Sequence, residues 1–144
     1  MTNASRIPAF VNPESGTAEG ARDALERTGL FDIIETQPGE LRESIQRAVD
    51  GGAPRILIAG GDGTIRTAVE VIADTSTELA VLPSGTLNHF AKDHRLPIDL
   101  DEAAQVAAGP FVITTDVGSV GENRFHGTSS IGAYVVFMRT REKI

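Results

Sequence analysis

Residues 55–64 read R-I-L-I-A-G-G-D-G-T, a short aliphatic run that leads directly into a turn with three glycines. The run Ile56–Ala59 shows no alternation of polar and apolar residues, which is typical of a strand covered on both faces, as in a parallel sheet. After the turn, Ile65, Val69 and Ile72 recur at the spacing of one helix face. This stretch therefore predicts a buried strand, a glycine-rich turn and an amphipathic helix.

The same alternation of strand and helix continues on both sides of this stretch. Glycines at Gly29 and at Gly51-Gly52 end two segments with helix periodicity, as expected for residues that favour helix termini. We predict strands at Arg6–Val11, Phe31–Glu35, Arg55–Ala59 and Leu79–Leu82, helices beginning near Ala18, Leu41 and Ile65 and covering Asp99–Ala108, a further strand at Val112-Ile113 and Val117, and an extended tail at Phe125–Phe137.

This order of elements predicts an α/β fold, with an open, mostly parallel sheet and helices on both of its faces. Ligands of such sheets bind outside the carboxyl ends of the strands. The turns that follow the first four predicted strands contain the polar, glycine-rich segments Asn12–Gly16, Thr36–Gly39, Gly60–Thr64 and Pro83–Asn88. We therefore expect a ligand site at a single edge of the sheet.

The turn Gly60–Thr64 has the composition of a phosphate-binding loop. Its glycines let backbone N–H groups approach an anion closely, and the helix that follows adds its own unpaired N–H groups. A carboxylate at Asp62 would repel a phosphate, so a bridging Mg²⁺ bound directly or through water is expected there. The alternative is a tight turn in which Asp62 or Thr64 caps the helix. The turn is neither the dinucleotide fingerprint nor the Walker sequence, because no lysine follows the glycines.

Two other loops add polar groups at the same predicted edge. In Leu82–Ala91, Thr86 and Asn88 offer neutral hydrogen-bonding groups to a nucleotide, and Asn12–Gly16 follows the first strand. Each loop also has a simpler interpretation as a turn, with Asn88 capping a short helix in the second loop. Three polar glycine-containing turns at one edge favour a nucleotide site over three unrelated turns.

The composition excludes several classes of function. The chain has 144 residues and a formal net charge of −7. It contains no cysteine, and this rules out disulfides, thiolate metal sites and cysteine nucleophiles. The negative charge argues against binding nucleic acid and against simple electrostatic adhesion to an anionic membrane. The basic cluster Arg139, Arg141 and Lys143 is interpreted as a solvated terminus. No signal peptide and no apolar run of roughly 18 residues is present, so we expect a cytoplasmic protein without a transmembrane segment.

Gly60–Thr64 together with Leu82–Ala91 resembles the diacylglycerol kinase catalytic domain, a family shared with sphingosine kinases and bacterial lipid kinases. The likeness extends from Val11 to about Glu142. It implies a three-layer domain similar to NAD kinase and 6-phosphofructokinase, with ATP and Mg²⁺ as cofactors. The resemblance implies ATP-binding roles for Asn12, Thr36, Gly60, Gly61, Asp62, Gly63, Thr64, Gly85, Thr86 and Asn88, with Asp62 also as the catalytic residue and the metal ligand.

The chain departs from the family pattern in sequence and in length. Arg66-Thr67 stands where many relatives have Asn-Glu, His94-Arg95 where a Leu-Gly pair is common, and Gly127-Thr128 where bacterial relatives often have Asn-Asn. In relatives a second, β-rich domain follows and supplies the proposed catalytic base. We therefore expect residues 1–144 to form the N-terminal nucleotide-binding half, without that C-terminal domain, and to be slow or inert alone.

The resemblance also implies a partner, a lipid whose hydroxyl receives the γ-phosphate of ATP at the membrane surface, where the protein would be peripheral. No residue selects among diacylglycerol, a sphingoid base and phosphatidylglycerol, and a homodimer stays open. Two alternatives are a non-catalytic nucleotide-binding or interaction module and a kinase of a soluble metabolite. His89, His94 and His126 lack metal-ligand spacing, so we expect structural or surface roles for them.

Overall fold

The computed structural model describes residues 5–125 of the chain. They form four parallel strands with alternating helices, followed by a small hairpin. The elements are β1 (Ile7–Val11), α1 (Ala18–Thr28), β2 (Phe31–Glu35), a 3-10 turn (Pro38–Glu40), α2 (Leu41–Asp50), β3 (Arg55–Gly60), α3 (Asp62–Ile72), β4 (Glu78–Pro83), α4 (His89–Asp93), α5 (Leu100–Ala108), β5 (Gly118–Val120) and β6 (Asn123–Phe125).

The four-stranded sheet has the order β2-β1-β3-β4, and its pairings are all parallel. Pro8 lies in the central strand β1, where a missing N–H would ordinarily disturb pairing. It pairs only with Asp32 of β2, and the register with β3 begins one residue later, at Ala9 opposite Leu57. The proline is tolerated because it stands near the start of the strand.

Each strand of the sheet buries alternate side chains in two separate hydrophobic cores. One core contains Leu57 and Ala59 of β3 under α1 and α5, and the other contains Ile56 and Ile58 under α2 and α3. The first core is rich in alanine, which allows α1 and α5 to approach the sheet closely. The predicted α/β fold with helices on both faces is therefore confirmed, and the layers are α1 and α5, the sheet, and α2, α3 and α4.

The structure of residues 111–117 differs from the strand that the sequence predicted there. The strand expected at Val112-Ile113 and Val117 is absent from the described structure, and this segment is exposed along its length. A strand requires a hydrogen-bonded neighbour, and no pairing joins these residues to β4, at the edge of the sheet. Their apolar character alone had suggested a strand. The segment is attached instead through a side chain, since the Nε2 atom of His94 lies 2.9 Å from the Oγ1 atom of Thr115.

The hairpin of β5 and β6 is antiparallel, and Gly121 in its turn has a φ of 62°, which suits glycine. Arg124 of β6 forms an ion pair with Asp74 just after α3, with an N–O distance of 2.9 Å, which fixes the hairpin against the three-layer domain. Of the tail predicted as extended, Phe125 belongs to β6 and the remainder lies outside the described residues. Within residues 5–125, no helix combines the length and the apolar character that crossing a bilayer requires.

Candidate nucleotide site

A pocket of about 260 Å³ opens at the carboxyl ends of β1, β2 and β3. In the order β2-β1-β3-β4, the connection from β1 leads to one edge of the sheet and the connection from β3 leads to the other, so the crevice between β1 and β3 is the point where open α/β sheets bind ligands. The pocket is lined by Phe10, Val11, Asn12, Thr36, Pro38, Leu41, Ala59, Gly63, Thr64 and Thr67. Four of the predicted site residues, Asn12, Thr36, Gly63 and Thr64, thus share one cavity.

The loop after β3 and the loop after β4 are in direct backbone contact beside this pocket. A Cβ atom added to Gly85 would lie 2.4 Å from the Cα atom of Gly61, closer than any side chain permits. At Gly60, an added Cβ would lie 2.8 Å from the Cβ of Thr64. The amide of Ser84 also donates to the carbonyl of Gly60, at 3.2 Å. Glycine is therefore required for close approach of the two loops, although none of these glycines has a positive φ.

The N-terminus of α3 faces this loop junction with its first backbone amides. The intrahelical bond from the amide of Ile65 to the carbonyl of Gly61 measures 3.0 Å, so the amides of residues 62–64 precede the helical ladder. Gly61 is the N-cap, and as a glycine it supplies no side-chain cap to this end. The alternative in which Asp62 or Thr64 caps α3 is therefore wrong. An uncapped helix N-terminus beside glycine backbone suits an anion.

The carboxylate of Asp62 connects the loop after β3 to α4. Its Oδ2 atom accepts the amide of His89 and its Oδ1 atom accepts the amide of Phe90, both at 2.9 Å. The imidazole Nδ1 of His89 lies 3.6 Å from the same carboxylate. Asp62 thus caps a different helix from the one it begins, and this role explains how an acidic residue is retained within the glycine turn.

Asn88 is buried and has a φ of 54°, the left-handed region that asparagine tolerates. Its side-chain Oδ1 accepts the Gly85 amide at 2.9 Å and its Nδ2 donates to the Gly85 carbonyl at 3.0 Å. The expected short helix follows, but Asn88 does not cap it with its side chain. Asn88 therefore closes the second loop on itself, and Thr86 lies exposed in that loop, outside the pocket lining.

The loop after β1 and the turn after β2 complete the edge of the sheet. The Asn12 side chain accepts the Glu14 amide at 3.0 Å, which folds the turn after β1. The Thr17 hydroxyl donates a hydrogen bond to the carbonyl of Ser84 at 3.1 Å and so connects the loop after β1 to the loop after β4. Thr36 is buried, and its amide donates to the Val11 carbonyl at 2.9 Å. The predicted gathering of the polar loops at one edge is confirmed.

Sequence reasoning missed Thr67 and Leu41 as lining residues of the pocket. Thr67 lies one helical turn after Gly63, and its hydroxyl donates to the Gly63 carbonyl at 3.3 Å. This spacing was a usable signal, because residues four apart share a helix face. Leu41 was predicted only as the start of a helix, and its position at the pocket depends on how α2 packs beside α3.

An ion-pair network stands beside the pocket between α2 and α3. Glu70 of α3 accepts a hydrogen bond from Arg42 of α2 and a second, at 3.2 Å, from Arg66. These interactions, with the Arg42 hydrogen bond the largest, hold the pKa of Glu70 below its ordinary value, and partial burial opposes them. Arg42 and Arg66 are the sequence neighbours of Leu41 and Thr67, which line the pocket.

Within residues 5–125, no group of three or more acidic, histidine or cysteine side chains is arranged to hold a metal ion. A cation at this edge would therefore depend on donors outside such a cluster, such as the phosphates of a bound nucleotide together with one carboxylate.

Comparison with known proteins identifies the family. The model of the diacylglycerol kinase catalytic domain matches residues 6–120, and the chain belongs to this family. It is 29% identical over 128 residues to a diacylglycerol kinase of Mycobacterium tuberculosis, covering 82% of this chain and 41% of the relative. It is 34% identical over 128 residues to a protein of Pseudomonas syringae pv. syringae named "Probable lipid kinase YegS-like", covering 83% of this chain and 41% of that protein.

A solved diacylglycerol kinase structure from Bacillus anthracis has the same fold. It superposes with a TM-score of 0.73 at 24% identity, covering 87% of this chain and 47% of that chain. The chain spans about two fifths of the length of the curated relatives it matches. The predicted family and fold are therefore confirmed.

Proposed function

We propose that this chain is the ATP-binding part of a lipid kinase that transfers the γ-phosphate of ATP to a lipid hydroxyl. The observation that carries the proposal is the pocket in which Asn12, Thr36, Gly63 and Thr64 meet beside the uncapped N-terminus of α3. Family membership supplies the class of reaction, and a lipid is the substrate named for relatives. Diacylglycerol is the substrate we test first.

The triphosphate would lie against the glycine junction and the first turn of α3. Side chains are excluded there because the backbones of Gly61 and Gly85 touch, so amide groups can contact phosphate oxygens directly. Thr64 adds a hydroxyl at the same position, and Asn12 and Thr36 add neutral polar groups farther along the pocket. Thr86 would approach from the second loop, where it is exposed. Neutral donors suit a ligand whose charge is offset by a cation.

Magnesium would bind chiefly through the phosphates, with Asp62 contributing through water. Both oxygens of Asp62 already accept amides of α4, so its carboxylate has a fixed orientation beside the phosphate position. Mg²⁺ retains several waters when it binds nucleotides, which makes a water-bridged carboxylate sufficient. When bound, the ion would neutralise charge that develops on the transferred phosphoryl group.

The direct test is calorimetry on the 144-residue chain with ATP in the presence and absence of MgCl₂, followed by transfer of labelled phosphate to diacylglycerol in vesicles. Binding that requires Mg²⁺ and is lost in Thr64→Val supports the site. Gln105→Ala is a suitable control because Gln105 lies on α5, on the opposite face of the sheet. Absence of ATP binding would refute the proposal. Binding without transfer, even when the β-rich half of a family member is supplied in trans, would favour a non-catalytic nucleotide-binding module.

A further inference from the structure

Arg66 lies on α3 one position before Thr67, which lines the pocket. Residues 63, 66, 67 and 70 fall on one side of the helix, and two of them line the pocket. Helical side chains lean toward the N-terminus of their helix, which directs a long side chain at position 66 toward the first turn of α3. The first turn is where the phosphate position lies in the function proposed above.

The present partner of Arg66 is Glu70, and this contact is weakly held. The two side chains are four residues apart, the Nε–Oε1 distance is 3.2 Å, and the Arg66 side chain is 65% exposed. Exposed ion pairs of this kind have small free energies. Glu70 also has a second partner, Arg42 from α2, so it would stay paired if Arg66 moved. Moving the Arg66 side chain from Glu70 to another anion therefore costs little free energy.

The network of Arg42, Arg66 and Glu70 is net positive, although the chain as a whole is negative. The formal net charge is −7, yet Arg42, Arg66 and Glu70 together carry two positive charges and one negative charge. The residues that line the pocket itself are all uncharged. A polyanionic ligand that enters the pocket meets these arginines as the cationic groups beside it.

We propose that Arg66 is a specificity-determining residue that leaves Glu70 to bind the phosphate chain of the nucleotide, with Glu70 as the competing anion in the empty state. This inference rests on the proposed function and adds to it a preference for longer phosphate chains. A guanidinium binds phosphate oxygens through paired hydrogen bonds. Each added phosphate group should therefore gain more binding free energy from Arg66 than the nucleoside does.

The experiment compares the affinities of ATP and AMP by calorimetry at low ionic strength with MgCl₂ for the unaltered chain, Arg66→Gln and Glu70→Gln. Arg66→Gln is expected to weaken ATP binding about three- to fivefold and AMP binding less than twofold. Glu70→Gln is expected to strengthen ATP binding at least about twofold, because it removes the competing anion. Opposite changes in ATP affinity in the two variants would indicate that Arg66 exchanges between Glu70 and ATP. If the ion pair were merely structural, both variants would weaken ATP binding.

Arg27→Gln is the matched control, since Arg27 forms an exposed ion pair with Asp101 between α1 and α5, on the other face of the sheet. It removes the same charge and should leave both affinities unchanged, and all three variants should keep the melting temperature of the unaltered chain within about 3 °C. Equal effects of Arg66→Gln on ATP and AMP, no effect on either, or unchanged or weaker ATP binding in Glu70→Gln would overturn the inference. Failure of the unaltered chain to bind ATP would overturn the proposed function itself, and this inference with it.

Discussion

Gly61 and Gly85 meet backbone to backbone, so that a Cβ atom on Gly85 would lie 2.4 Å from the Cα atom of Gly61. These residues are distant in sequence and belong to the loops after β3 and β4. Their contact joins the backbones of two separate turns. It depends on parallel pairing of the two strands, in which Gly60 is opposite Pro83.

Substitution of Gly85 by alanine should separate these loops. The methyl group meets backbone atoms that cannot move aside cheaply, so we expect a loss of about 1–3 kcal/mol in the free energy of unfolding and at least about tenfold weaker ATP binding. Urea denaturation and calorimetry measure the two effects. Gly20→Ala in α1 is the control, because an added Cβ there meets only the side chain of Leu100, at an ordinary contact distance of 3.5 Å. Wild-type ATP affinity in Gly85→Ala would show that the loop junction is not part of the nucleotide site.

Removal of the Asp62 carboxylate should loosen α4. In Asp62→Ala the amides of His89 and Phe90 lose their acceptors, with an expected cost of about 0.5–2 kcal/mol, and their hydrogen exchange should accelerate. Asp99→Ala provides a comparison, since Asp99 caps α5 through the Glu102 amide at 3.0 Å. Both variants should be destabilised to a similar extent, but Asp62→Ala alone should impair ATP binding. Unchanged exchange at His89 and Phe90 would contradict the capping role.

The pH dependence of stability should report on Glu70. Its pKa in the folded chain is lowered, mainly by the hydrogen bond from Arg42. It therefore contributes stability above its unfolded pKa of about 4.3, and this contribution is lost as the pH falls through the lower folded value. The difference in unfolding free energy between the unaltered chain and Glu70→Gln, on the order of 0.5–1 kcal/mol, should be constant from pH 6 to 8 and should shrink below about pH 4.3. A difference that grows on acidification would contradict this assignment.

Arg55 should contribute more to stability than the exposed arginines. Its guanidinium is largely buried and donates to the carbonyls of Ala107 and Gly109 at 2.9 and 2.7 Å, which secures the C-terminus of α5. Arg55→Gln should lower the unfolding free energy by about 1.5–3 kcal/mol, as expected when hydrogen bonds to a charged group are lost. Arg27→Gln should cost less than Arg55→Gln, because its ion pair with Asp101 is exposed. Thermal denaturation followed by circular dichroism compares the two, and equal losses would contradict the difference in burial.

The local pattern of the chain determined the strands, the helices and the position of the glycine turns. Buried aliphatic runs such as Ile56–Ala59 have few alternatives to a covered strand, and the helical spacing of Ile65, Val69 and Ile72 requires one buried face. Parallel order then brings the loops to one edge, which is why the sequence could predict a common site for Asn12, Thr36 and Thr64. The strand expected at Val112-Ile113 failed because apolar content does not specify a pairing partner.

Only the tertiary structure assigned partners to the polar side chains. A carboxylate in a glycine turn has the same local sequence whether it caps its own helix, binds a cation or caps another helix, and the position of α4 decided that Asp62 accepts the amides of His89 and Phe90. The spacing of Arg66 and Glu70 on one helix indicates that these two side chains are neighbours, but nothing in the sequence indicated that Arg42 of α2 also meets Glu70. Hydrogen bonds and ion pairs act over a few ångströms, and the distances between residues far apart in the chain are set by the packing of helices on the sheet.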